Sequence, residues 1–88
     1  MKKATRKALR AHGFEVRVGH GTHAGEERIE LRRIERGHVV AWFQFTDRTV
    51  DSERKIGMNV QIIEYDHLTD RQLELARAWL CEKVLAAL

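Results

Sequence analysis

The densest apolar run in the chain lies between Val39 and Thr46, and it follows a stretch, Glu27 to Glu35, in which Ile29 and Leu31 are set among charged neighbours. Arg36-Gly37-His38 separates the two with turn chemistry, so together they predict a central β-hairpin. Side chains alternate along a strand. Val39, Ala41, Phe43 and Phe45 therefore share one face, and Val40, Trp42 and Gln44 take the other. The parity of the loop decides which face Ile29 and Leu31 join. A two-residue loop at Arg36-Gly37 places them beside Trp42, whereas an odd loop of Arg36-Gly37-His38 places them with Phe43 and Phe45. The odd loop gives the more coherent core and is the expectation, with Gly37 taking a positive φ. Trp42 then sits outside the main core, covered by another element or open to a partner.

The same patterning places the remaining elements. Lys2 to His12 reads as a short helix with a thin stripe of Ala4, Ala8 and Ala11, stopped by Gly13. Phe14, Val16 and Val18 alternate with Glu15 and Arg17, predicting a strand with one buried face, and Gly19 to Gly25 is a glycine-broken loop. Beyond the hairpin, Asp47 to Lys55 reads as a polar connection. Met58, Val60 and Ile62 alternate with Asn59, Gln61 and Ile63 in a further strand. Thr69 and Gln72 form a capping-box pattern at the head of a helix running to the C-terminal leucine. Leu73, Ala76, Leu80, Val84 and Ala87 make the stripe expected to face the sheet. A second apolar flank of Leu75, Trp79 and Ala86 either wraps under the first helix or meets a second subunit. The expected fold is α+β: a helix, an antiparallel sheet of three to four strands with a central hairpin, and a C-terminal helix packed on one sheet face.

Composition narrows the class. The 88 residues suffice for one domain with a thin core, and 43% hydrophobic against 33% charged residues suits a folded chain rather than a disordered one. Formal net charge is +3, a basic excess that permits nucleic-acid binding without demanding it. A single cysteine, Cys81, excludes an internal disulfide, fits a reducing compartment and reads as a small core or boundary residue. No run resembles a signal peptide or a membrane span, so a cytoplasmic location is expected. His20 and His23 are the only closely spaced histidines in a loop, too few for a structural zinc site, and no metal or other cofactor is expected. Phosphate-loop, serine-nucleophile and HExxH motifs are absent.

One stretch carries more specific chemistry. Leu9 to His23 includes Gly13-Phe14 after a short helix, then a strand, then Gly21-Thr22-His23. It resembles the opening of the HicA family of toxin RNA endonucleases, in which a helix ends in Gly-Phe or Gly-Trp and a Gly-Ser-His-like turn carries the catalytic histidine. That resemblance implies a helix-strand-strand-strand-helix fold like that of double-stranded-RNA-binding domains. It also implies His23 as the acid/base that helps an RNA 2′-hydroxyl attack its own phosphate, with Arg17 or Lys7 holding the phosphate. Here a long hairpin intervenes between that histidine and the last strand, where the family is usually shorter.

The leading expectation is a small non-catalytic binding module acting on nucleic acid or a nucleoprotein complex. Lys2, Lys3, Arg6, Lys7 and Arg10 gather five cations on one short helix, with Arg17 on the next strand. Arg28, Arg32, Arg33 and Arg36 follow along the hairpin, but Glu26, Glu27, Glu30 and Glu35 interleave with them, as on a salt-bridged solvent face. The alternatives are a HicA-like ribonuclease and a protein-protein inhibitor similar in general character to phage-encoded anti-CRISPR proteins. Trp42, Leu75 and Trp79 are the candidate contacts for a protein partner or a homodimer.

Overall fold

The computed structural model describes the backbone of residues 3–21, 26–63 and 65–88, with the side chains of all of these except Lys3, Ala4, Thr5 and Tyr65. The chain folds as α1 (Lys3–Ala11), β1 (Phe14–His20), β2 (Glu27–Arg33), β3 (Val39–Val50), β4 (Glu53–Ile62), a single 3-10 turn at Tyr65–His67, and α2 (Asp70–Ala87). The four strands form one antiparallel sheet in chain order, β1-β2-β3-β4. This is the expected α+β layout.

Gly13 ends α1 at φ +84°, and Phe14 then enters the core. The central hairpin has the expected facing: Ile29 lies across from Phe43 and Leu31 across from Ala41. Its approach to the turn is more elaborate than the sequence implied. A bulge between Leu31 and Arg32 shifts the partner from Ala41 to Val39, leaving Val40 as the extra residue. Val40, expected beside Trp42, is consequently in the core, and its carbonyl accepts the Ile63 N–H at 2.6 Å. β2 stops at Arg33, short of Glu35, because the chain turns through residues 34–37 with both Arg36 and Gly37 at φ 69°.

The core lies on one sheet face, where Phe14, Leu31, Ala41 and Phe43 meet Leu9 of α1 and Leu75, Ala76, Trp79 and Leu80 of α2. Thr69 caps α2 as its sequence predicts: its hydroxyl accepts the Gln72 N–H, and its own N–H donates to Gln72 Oε1, each at 3.1 Å. Gln72 Nε2 also donates to the His12 carbonyl at 3.1 Å, tying the head of α2 to the tail of α1.

The Asp47–Lys55 stretch is strand rather than connection. β3 and β4 pair from Ala41–Ile62 out to Val50–Glu53 and reverse at Asp51-Ser52, whose φ values of 52° and 65° match a two-residue primed turn. Arg54 grips Asp47 across this ribbon with two hydrogen bonds of 2.9 and 2.8 Å. That pairing holds Asp47 below its ordinary carboxyl pKa and raises Arg54. The ribbon extends past the helices, and the molecule measures 45 × 25 × 21 Å.

Candidate nucleic-acid interface

Helix α1 turns Leu9 into the core and Ala8 against it, which leaves Arg6, Lys7 and Arg10 exposed. No acidic residue occurs between Lys3 and Ala11. Among the described residues, no carboxylate lies within ion-pairing distance of Arg6, Lys7 or Arg10. Arg6 and Arg10, one helical turn apart, line a hollow of about 300 Å³ with Leu9, Phe14, Glu15 and Val16, between α1 and β1.

The sheet cations are in a different electrostatic state. Arg17 pairs with Glu15 at 3.0 Å, Arg48 with Glu26 at 3.5 Å, Arg54 with Asp47 at 2.8 Å and Lys55 with Glu53 at 2.8 Å. Arg33 donates to the His67 carbonyl at 3.0 Å.

Glu30 sits at the centre of the face away from the helices, and only 2% of its surface is exposed. Arg28 Nε donates to one carboxylate oxygen at 2.8 Å, while Arg32 donates to the other through Nε at 2.9 Å and Nη2 at 2.5 Å. Burial works to raise the Glu30 pKa. The hydrogen bonds and charges of Arg32 and Arg28 outweigh burial and hold it below the ordinary value. Arg28 also covers the ring of Trp42, its guanidinium 5.1 Å from the centroid. Arg28 and Arg32 thus share one carboxylate and most of the sheet cations are paired, whereas Arg6, Lys7 and Arg10 gather on one helix with no carboxylate partner among the described residues.

Comparison with family models, curated proteins and solved structures finds no match.

The individual candidates fall in different places. Lys2, His23 and the side chain of Lys3 lie outside the described residues. Of the described residues on either side of His23, Gly21 donates its N–H to the Glu26 carbonyl at 2.9 Å. Arg17 pairs across from Glu30 and so belongs to the sheet face opposite the helices, apart from Arg6, Lys7 and Arg10. Trp42 shares that outer face, lying across from Glu30 half-buried under Arg28. Leu75 and Trp79 are corrected: both are core residues, with Trp79 fully buried, and neither offers surface to a partner. The reason is that α2 packs against α1 as well as β3 and β4, so its buried face must be wider than one sheet contact requires. Cys81, expected at the core or its boundary, is exposed on α2. Among the described residues, no group of three His, Cys, Asp or Glu side chains is placed to hold a metal ion, and no helix is long and apolar enough to cross a membrane.

The residue that sequence reasoning passed over is Glu30. Its signal was present in Arg28-x-Glu30-x-Arg32, a period-two pattern that sets a carboxylate between two guanidiniums on one strand face.

Proposed function

We propose that this protein is a non-catalytic nucleic-acid-binding module that grips the phosphate backbone with the exposed face of α1. The observation carrying this reading is the division of charge described above: Arg6, Lys7 and Arg10 have no carboxylate partner among the described residues, whereas the sheet cations are largely paired. An uncompensated cation on a helix face attracts a phosphate without first giving up an internal ion pair. Arg6 and Arg10 flank the hollow along β1, and Lys7 widens the positive face.

Binding of this kind is sequence-tolerant. Trp42 is already covered by Arg28, and the exposed Phe45 lies on the opposite sheet face, so these two rings make no stacking platform for unpaired bases. The contacts proposed are therefore to backbone phosphates.

The test is fluorescence anisotropy on a mixed-sequence RNA and its DNA counterpart over a salt series. The wild type is compared with an Arg6→Ala, Lys7→Ala, Arg10→Ala triple variant and with His23→Ala. Three lost phosphate contacts should reduce the slope of log K against log salt by about 2 to 3. All three side chains are exposed, and alanine is the better helix former, so the fold should persist. A slope unchanged in the triple variant, or no binding by the wild type, overturns the reading. Cleavage of the RNA that disappears in His23→Ala would replace it with the ribonuclease reading.

A further inference from the structure

The β3–β4 ribbon leaves an apolar row uncovered. In register across the helix-bearing face run Val18, Ile29, Phe43 and Val60, then Phe45 beside Met58, and Ile56 beyond them. Phe43 is covered by the helices. Phe45, Met58, Val60 and Ile56 are exposed, Ile56 at 59%. β4 is also an edge of the sheet, and among the described residues its outward N–H and C=O groups face no strand. Natural edges are protected by charge, proline, bulges or short length. This one has a ten-residue strand paired to β3 without a bulge, no proline, and an uncharged stretch from Ile56 to Ile62; its charges, Glu53, Arg54 and Lys55, are confined to the tip.

We propose that β4 is an interface between two copies of this chain, paired antiparallel about a twofold axis at Met58. A twofold axis normal to the sheet sets each residue opposite one of the same parity, so a self-pairing of β4 keeps its apolar set on one face. Centred on Met58, the pairing runs from Arg54 to Ile62 on both copies. Met58 meets Met58, Ile56 meets Val60, Lys55 meets Gln61 and Gly57 meets Asn59. No like charges oppose one another.

The pairing also places the bare end of one copy beside the covered end of the other. Ile62, close to α2, lies opposite Arg54 near the ribbon tip, so the exposed ribbon of each copy runs alongside the helices of its partner. Two four-stranded sheets become one, and the β4 edge is removed. Pairing β1 with β4 would instead be head-to-tail, leaving a free edge at each end for further addition.

Sedimentation velocity over a dilution series tests this with the wild type, Met58→Lys, Met58→Glu and an equimolar mixture of the two variants, with circular dichroism confirming that each variant keeps its fold. The wild type should sediment at twice the chain mass and dissociate on dilution. Each variant should remain at the chain mass, since it sets two like charges together on the axis. The mixture should recover the dimer, as Lys then faces Glu. A wild type at the chain mass throughout, a ladder of larger species, a dimer surviving both variants, or a mixture that stays monomeric would each overturn the proposal. A monomeric wild type would leave the apolar row to a different protein.

Discussion

Gly19 and Glu30 occupy the same space in alternation: a Cβ built on Gly19 would fall onto the Glu30 carboxyl group, 2.6 Å from each oxygen. The two residues lie on neighbouring strands, Gly19 across from Arg28 and Glu30 across from Arg17. Only a residue without a side chain at position 19 leaves room for the carboxylate between its two arginines.

Gly19→Ala should therefore destabilise the protein although the strand itself favours alanine over glycine. A flexible glutamate would ordinarily swing aside at little cost. This one is buried and held by three hydrogen bonds, so moving it breaks the clamp. The expected loss is about 1–3 kcal/mol, read as a lower midpoint in urea unfolding with an unchanged slope. A midpoint equal to or above that of the wild type would show that the clamp contributes nothing to stability.

The same clamp makes stability depend on acid. Folding depresses the Glu30 pKa, so the unfolded chain takes up a proton more readily than the native one. The stabilisation is complete above the ordinary value of 4.5 and is lost as pH falls from there through the depressed native value. Thermal melts of the wild type and Glu30→Gln should show the variant less stable at neutral pH and its curve flatter on the acid limb. Parallel curves would assign the acid sensitivity to other carboxylates.

Thr69→Ala should cost about 1 kcal/mol, the usual loss for an N-cap hydroxyl. Gln72→Ala should cost at least as much, since Gln72 closes the capping box and also reaches the His12 carbonyl. The double variant should lose less than the sum of the two, because both residues share the cap. Urea unfolding of all three supplies the cycle.

Trp79 separates a core role from a contact role. Trp79→Phe should retain the fold at a cost of about 1–2 kcal/mol, with part of the lost volume offset by removal of a buried indole N–H that has no partner among the described residues. Trp79→Asp should abolish cooperative unfolding, since it buries an unpaired charge. A folded Trp79→Asp protein would contradict the placement of this side chain in the core.

The parts of the fold legible in sequence were those where one physical signal dominates. Ile29 and Leu31 made the more coherent core with the Phe43 face, and the preference this gave matches the observed facing, although Phe45 itself is exposed. Thr69 and Gln72 named their own cap. Gly13 marked the helix stop through the backbone it permits. The outer ribbon was missed because its strands bury little, so the apolar alternation that announces a strand is absent from Asp47 to Lys55. Helical spacing alone left Leu75 and Trp79 as a spare flank, since it does not say how many neighbours a helix has. On the candidate interface, the concentration of cations in α1 was plain, but which arginines are already paired depends on cross-strand register and side-chain reach. Glu30 looked like one more member of a solvated charge pattern, and Gly19 in the next strand supplies the room for it.

Because the sheet follows chain order, each strand's partner is the segment synthesised next to it. Assembly can proceed as a succession of local hairpin closures, each with a modest loop to restrict. The long-range event is the meeting of α1 with α2, which joins opposite ends of the chain over a finished sheet. A nascent chain would therefore hold its pairings in place while its apolar face remained open until α2 emerged, and that interval is when Phe14, Leu31 and Phe43 are most exposed to misassociation.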